Sequence, residues 1–281
     1  MIREIDVAKI TETVAGLCVR ANVLLNADIE NALRQGAAVE ERPLARDVLN
    51  ILLENADAAR CDSLPICQDT GMTVVFVELG QDVHLVGGLL DEAINAGVAA
   101  GYERGYLRKS VVRDPIDRVN TGDNTPAVVH VRLVPGDRVK ITVAPKGFGS
   151  ENMSRLVMLK PSDGLEGVKR VVLETVRQAG PNPCPPMVVG VGVGGTMEKA
   201  AIIAKEALLR TIGEHNPVAF WAELEAELLA AVNALDIGPA GFGGRTTALA
   251  VNVNVYPTHI AGLPVAVNIG CHVTRHADAV I

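Results

Sequence analysis

Three cysteines lie in turns rich in glycine and proline, far apart along the chain. Cys67 stands in ICQDTG, Cys184 in PNPCPP and Cys271 in NIGCH. Three thiolates are one ligand short of the four that close a structural metal site. If these thiolates share an iron–sulfur cluster, one iron keeps an open position and can act as a Lewis acid. One hypothesis is therefore a shared metal site with a free coordination position.

Other interpretations of the cysteines stay open at this point. The separations match no local zinc or ferredoxin spacing, so three unrelated buried thiols are an alternative. A zinc site is another alternative, formed by Cys61 and Cys67 with His272 or His276. Cys18 lies on an apolar helical stripe and is expected to be a small buried hydrophobe. Cys61 is expected to end a helix without binding metal.

Composition restricts the class of protein and of partner. The chain has 281 residues, 48% of them hydrophobic, which is enough for a sizeable core, and we expect one domain over residues 1–281. Aromatic residues make up 3% and the formal net charge is −7, so a nucleic-acid partner is not expected. An acidic substrate would need a local basic cluster.

The compartment is predicted from what the sequence lacks. We find no charged-then-apolar leader segment and no run of 18 apolar residues, and the five cysteines are an odd number. These features predict a cytoplasmic chain with reduced thiols and no membrane contact.

Periodicity predicts an α+β fold, with helices packed around small, mostly antiparallel or mixed β-sheets. Apolar spacing predicts helices over 5–34, 43–60, 87–105, 164–179, 196–211 and 217–235. It predicts strands over 73–79, 127–134, 138–144, 187–193, 246–256 and 263–269. Pro135-Gly136-Asp137 is typical of a hairpin turn between two of these strands. The polar stretch 106–126 is long for a loop and is expected to be functional or mobile.

Asp69 is a candidate for proton transfer, and His259 and His272 are notable among the six histidines. Asp69 lies two residues after Cys67, where an acid could exchange protons, but an Asx-type turn cap to Gly71 fits equally well. His259 follows a predicted strand, in a position where most histidines are merely exposed. Basic side chains suited to carboxylates are Arg108, Lys109, Lys146, Arg245 and Arg275.

A G-x-G-x-x-G pattern spans 190–195, after a predicted strand and before a predicted helix. A dinucleotide site would need a second strand and an acidic residue about twenty positions later. Helices are predicted there instead. The glycines are expected to allow close packing and to leave N–H groups free at a helix start, where they could hold a carboxylate.

Segments across nearly the whole chain resemble the α subunit of two-subunit class I fumarate hydratases, a family that includes single-chain class I fumarases and L-tartrate dehydratase α subunits. The matching segments are CQDTG at 67–71, GYLRKSVV at 105–112, NTGDNTPAV at 120–128, KGFGSENMS at 146–154, GPNPCPP at 180–186, VGVGVGGTMEKA at 189–200, GGRTTALAVNV at 243–253 and PTHIAGLPVAVN at 257–268.

This resemblance implies the following roles. Cys67, Cys184 and Cys271 would hold one 4Fe-4S cluster. Gln68, Asp69 and Arg108 would contact the substrate, and Gly147 or Gly149 would line the site. The histidine of PTHIAGLP, which is His259, would lie near the cluster and take part in catalysis.

The resemblance also implies a reaction and partners. It implies reversible hydration of fumarate to L-malate, with a separate β subunit and a homo-oligomer of α chains or α–β pairs. The alternatives are an L-tartrate dehydratase α subunit and a metal-stabilised interaction subunit without activity. Phe148 departs from the common KGGGSE pattern and could crowd the loop or point away from it.

Overall fold

The structure, a computed structural model, describes residues 2–281. They divide into two compact units. Unit 1 contains residues 2–25, 56–148 and 275–281, and unit 2 contains residues 26–55 and 149–274. Helices and strands follow one another without regular alternation, and the predicted α+β class is confirmed.

The regular elements are numbered in chain order. The strands are β1 Arg3–Asp6, β2 Met72–Gly80, β3 Val83–Val86, β4 Val128–Val134, β5 Val139–Lys146, β6 Arg155–Leu159, β7 Met187–Gly194, β8 Ala248–Tyr256, β9 Leu263–Gly270 and β10 Ala277–Val280. The helices are α1 Val7–Val23, α2 Ala27–Val39, α3 Pro43–Asp62, α4 Leu90–Arg104, the single turn α5 Phe148–Glu151, α6 Gly164–Ala179, α7 Met197–Ala207 and α8 Ala219–Asn233.

Unit 1 is built on a mixed four-stranded sheet in the order β10-β5-β2-β4. Helices α1 and α4 pack closely together and share one apolar core with the sheet. The close approach depends on Gly97 and Gly101, where an added Cβ would lie 2.6 Å from Thr11 O and 2.7 Å from Ala15 O. The glycine-interrupted helix predicted over 87–105 is thus a packing surface.

The predicted hairpin at residues 135–137 is wrong. β2 lies between β4 and β5, parallel to β4 and antiparallel to β5, so the two strands joined by this turn do not pair. The backbone at the end of β2 occupies the space between them, since Gly80 N donates to Arg138 O at 2.9 Å. The turn residues correctly predicted that the chain reverses direction between β4 and β5. They carry no information about β2, which pairs with both of these strands.

The single helix predicted over 5–34 is two helices, α1 and α2, preceded by β1. Leu24 and Asn26 are extended, with ψ of 119° and 137°. Asp6 caps α1 by accepting a hydrogen bond from Ala8 N at 2.8 Å. Asp6 and Asn26 are residue types that favour N-caps, and both precede a helix. The apolar stripe continues past both residues, and it therefore predicted a single helix. The members of that stripe, including Cys18, are buried as predicted.

Unit 2 is built on a second mixed sheet in the order β6-β9-β7-β8. Alternate residues of the fully buried β7 face opposite sides. Val189 and Val191 pack into the core formed with α6 and α8. Gly190 and Gly192 face α7, where an added Cβ would lie 2.1 Å from Ala204 O and Ala200 O respectively.

This packing accounts for the G-x-G-x-x-G pattern. Its first two glycines lie inside a strand under a helix rather than in a phosphate-binding turn, and no strand occurs between α7 and α8. The interpretation as close packing is confirmed. The single-domain prediction for residues 1–281 stays a prediction beside the two compact units. Within 2–281, no helix combines the length and apolar character needed to cross a membrane.

We predict that Gly192→Ala lowers the free energy of unfolding by about 3 kcal/mol, because the new methyl group overlaps a helix carbonyl. Gly16→Ala is the control. It lies exposed in α1 with nothing within 4 Å of an added Cβ, and it should raise stability by about 0.5–1 kcal/mol. Urea denaturation measures both changes, and equal midpoints for the two variants would contradict the packing described.

Candidate functional site

The Cys67–Gly71 turn of unit 1 is organised by Asp69. Its Oδ1 accepts a hydrogen bond from Gly71 N at 3.0 Å, which is the Asx-type turn expected from the sequence. Its Oδ2 accepts a second bond from Phe148 N at 2.9 Å. Two backbone donors from separate segments therefore fix the orientation of this carboxylate. The two interpretations of Asp69, turn cap and proton carrier, are compatible in this geometry.

The loop after β5 closes over the same carboxylate. A Cβ added at Gly147 would lie 3.2 Å from Asp69 Oδ2, so a side chain there would press on the carboxylate. The side chain of Phe148 is 47% exposed while its N–H group binds Asp69. Only the backbone of Phe148 is bonded to the carboxylate, and the residue is about half exposed.

Two further predicted residues of unit 1 are adjacent to this turn. The Arg108 carbonyl accepts a hydrogen bond from Thr70 Oγ1 at 2.8 Å, which ties the 106–126 loop to the Cys67 turn. The Arg108 side chain is exposed, and the described part of the chain supplies no ion-pair partner for it. Gln68 is also exposed. Cys67, Gln68, Asp69, Arg108 and Gly147 are thus brought together within unit 1.

The turn rests on two buried polar side chains that the sequence reasoning missed. Tyr102 is fully buried in α4 and donates to Thr70 O at 2.6 Å, and its burial raises the pKa of the hydroxyl, which stays protonated. Asn124, also fully buried, donates to Gly71 O at 3.2 Å and accepts from Ser110 N at 2.7 Å. The signal available was Asn124 inside the NTGDNTP segment, since asparagine tolerates the positive φ of 64° found there.

In unit 2, Cys184 and Cys271 come together at one end of the sheet. Cys184 precedes β7, and Cys271 follows β9, which runs antiparallel to β7. The Cys184 carbonyl accepts a hydrogen bond from His272 N at 3.2 Å and lies 2.9 Å from His272 Nδ1. Cys184 is exposed and has a φ of 54°, and Cys271 is half-buried.

A polar network supports this end of unit 2. Glu151 accepts from Lys205 Nζ at 2.6 Å and from Asn268 Nδ2 at 2.9 Å. Ser154 Oγ accepts from Ile269 N at 3.0 Å, two residues before Cys271. These bonds hold residues 151–154 against β9. A Cβ added at Gly149 would make only an ordinary contact, 3.7 Å from Asn182 O.

His259 is not brought together with the cysteines of unit 2, contrary to the expectation that it lies near them. It follows β8, which is parallel to β7, so it stands at the opposite end of the sheet from Cys184 and Cys271. The eight residues of β7 span roughly 25 Å at the usual rise per residue. His259 is exposed, and its Nδ1 accepts from Ala261 N at 3.2 Å.

The zinc alternative of Cys61 and Cys67 with His276, all in unit 1, finds no support. No three His, Cys, Asp or Glu side chains are grouped so that they could hold one metal ion anywhere in residues 2–281. A single zinc ion draws its sulfur ligands to within about 2.3 Å of one point. A four-iron cluster instead spaces its cysteine sulfurs on the order of 7 Å apart, given ordinary metal–thiolate lengths.

Comparison with known proteins identifies the family. The family model described as "Fumarate hydratase (Fumerase)" matches residues 11–280. This chain belongs to the fumarate hydratase family. Members of that family are hydro-lyases, and the chain is an enzyme of this class.

Two relatives of the fumarate hydratase family cover the chain almost completely. A protein of Methanocaldococcus jannaschii, named "Putative L(+)-tartrate dehydratase subunit alpha", is 42% identical over 275 residues, which are 96% of each chain. The "L(+)-tartrate dehydratase subunit alpha" of Escherichia coli strain UTI89 is 33% identical over 282 residues, covering 97% of this chain and 92% of that protein.

We predict that N-ethylmaleimide labels Cys61 at least about tenfold faster than Cys18 in the folded, metal-free chain at pH 8. Burial raises the pKa of the Cys18 thiol to about 12, so the reactive thiolate is scarce, whereas Cys61 is exposed. Peptide mass spectrometry measures both rates. Unfolding in urea should make them similar, and equal labelling in the folded chain would contradict the burial of Cys18.

Proposed function

We propose that this chain is the α subunit of a hydro-lyase that reversibly hydrates fumarate to L-malate. The observation that carries the proposal is the Asp69 carboxylate, which Gly71 N and Phe148 N fix two residues after Cys67. An oriented carboxylate beside a potential metal ligand and an exposed arginine suits proton exchange on a small diacid.

Cys67, Cys184 and Cys271 would hold a 4Fe-4S cluster. The donor set is chemically suitable, because each cysteine is a free thiol with partial or full exposure and lies outside the helices and strands. When bound, the open iron of such a cluster supplies a Lewis acid for the substrate hydroxyl and a carboxylate. The free thiols and their positions in loops support this ligand set. These observations concern unit 1 and unit 2 separately.

The remaining steps belong to side chains of this chain and of its partner. Hydration adds hydrogen to one alkene carbon and hydroxyl to the next, so no oxidant or reductant is needed. Arg108 would bind one carboxylate through its exposed guanidinium, and Gln68 would donate a hydrogen bond to the diacid. Asp69 would hold or pass a proton at a carboxylate oxygen. Gly147 and Gly149 would leave room for the substrate.

The partner would be a separate β subunit. Both relatives are named as α subunits, which supports an assembly of two kinds of chain. Cations from the β subunit would bind the second carboxylate, and a base would come from it. A homo-oligomer of α chains or of α–β pairs stays a prediction. A catalytic role for His259 also stays a prediction, and it requires this histidine to act away from the Cys184 and Cys271 of its own chain.

L-tartrate dehydration is the second candidate, favoured by the names of both relatives. It uses the same site chemistry, with loss of water from a dihydroxy diacid. An interaction subunit without activity is the alternative from another class.

The deciding assay uses the chain reconstituted anaerobically with iron and sulfide and mixed with its β subunit. We expect malate formation from fumarate to exceed tartrate turnover at equal substrate concentration. Faster turnover of tartrate would overturn the fumarate assignment and keep the hydro-lyase. Failure to turn over either acid, with iron and sulfide bound, would support the interaction subunit.

We predict that Cys184→Ser abolishes the visible chromophore of the reconstituted chain and that Cys18→Ser leaves it intact. A serine oxygen replaces a cluster thiolate in the first variant, whereas the second changes a buried core residue of α1. Iron and sulfide content measures the difference. Equal cluster content in both variants would contradict the ligand assignment.

We predict that Gly147→Ala lowers kcat about tenfold or more, whereas Gly149→Ala changes it less than about threefold. The first methyl group stands 3.2 Å from Asp69 Oδ2 and shifts the carboxylate by a few tenths of an ångström, while the second meets only an ordinary contact. Steady-state kinetics on matched preparations compares the two. A larger loss in Gly149→Ala would argue against the proton role of Asp69.

A further inference from the structure

We propose that Arg275, acting with Asn22, is a positioning residue that clamps both sides of the Cys67 turn. The proposal deepens the proposed function and rests on it. Arg275 Nη2 donates to Asp69 O at 2.7 Å, two residues after Cys67. Its Nε donates to Asn22 Oδ1 at 3.2 Å. The Asn22 carbonyl accepts from Ile66 N at 2.9 Å, one residue before Cys67.

The Arg275 side chain, together with the side chain and backbone carbonyl of Asn22, therefore forms one bridge under the turn. Hydrogen bonds fix the residues that flank Cys67 and Gln68, and neither bond involves the thiol or the amide side chain of these two residues. Asn22 is itself anchored, since its Nδ2 donates to Cys18 O at 2.9 Å within α1. The clamp thus connects the site to the buried face of α1.

Burial makes this arrangement more than a surface contact. Arg275 is 4% exposed and Asn22 is 1% exposed. Burying a guanidinium is costly unless hydrogen bonds satisfy it, and carbonyl oxygens in a low-dielectric interior bind it strongly. The positive charge lies under a turn that would carry a thiolate and face a dianionic substrate.

Asp69 is the residue of the turn that Arg275 binds directly. Its backbone carbonyl is held by Arg275 while its carboxylate is held by Gly71 N and Phe148 N. Loss of the guanidinium would free the backbone end and misalign the carboxylate. Supporting hydrogen bonds of this kind are typically worth 10–100-fold in metal affinity or activity.

The first experiment tests positioning in the metal-free full-length chain. Hydrogen exchange of the amides over residues 66–71 is compared between wild type, Arg275→Gln and Arg275→Lys. We expect exchange about tenfold faster in Arg275→Gln, the size of one lost charge-assisted hydrogen bond, with partial rescue in Arg275→Lys. Arg104→Gln is the matched control, since Arg104 forms an exposed ion pair with Glu12 in the same unit.

The control variant should exchange like wild type over 66–71. If Arg275→Gln does not fold, Asn22→Ala replaces it, because that change removes the acceptor of Arg275 Nε and keeps the guanidinium. Unchanged exchange over 66–71 in the folded variants would overturn the clamp, whatever the chain catalyses.

The second experiment uses the reconstituted enzyme with its β subunit. We expect Arg275→Gln to lower kcat 10- to 100-fold with KM within about threefold, and to lose iron faster than wild type. A variant with normal kcat and iron retention would overturn the link between the clamp and the site. A wild-type chain that binds no cluster would overturn the proposed function, while the exchange experiment would still decide the positioning role.

Discussion

The hydrogen bonds that converge on Asp69 are the constraint on which the candidate site of unit 1 depends. Its two carboxylate oxygens accept from Gly71 N and Phe148 N, and its carbonyl accepts from Arg275. Three hydrogen bonds to one residue, from three separate segments of unit 1, restrict the shape of the turn. That shape fixes the backbone of Cys67, and Thr70 then fixes the start of the loop that carries Arg108.

Unit 2 positions its two cysteines by a different route. β9 runs antiparallel to β7, so the residue before one strand and the residue after the other meet at the same sheet end. The glycines of β7 let α7 approach the sheet closely, and the valines between them fill the opposite core. The same topology puts His259 at the far end. Strand direction therefore decides which motif residues of this unit can cooperate.

The sequence predicted most of the helices and strands, because their apolar periodicity is strong and their ends carry glycine or proline. The short strands β1, β3, β6 and β10 were missed, since four or five residues show little alternation. The strand β2 was predicted, but its position between β4 and β5 was missed because sheet order is a long-range property. The same limit applies to the site, where the sequence motif identified Asp69 but gave no sign that Tyr102 binds the carbonyl of Thr70 in the same turn. Nor did they reveal the position of His259.

We propose that Cys67, Cys184 and Cys271 hold a cluster with one iron that lacks a thiolate, and the proposed function depends on this cluster. Mössbauer spectroscopy of the chain reconstituted with ⁵⁷Fe and its β subunit tests it most directly. The account predicts one iron of four whose isomer shift rises when fumarate or malate is added, since oxygen ligands then join it. Four irons that do not respond to the diacid, or an iron spectrum without a cluster, would contradict the account.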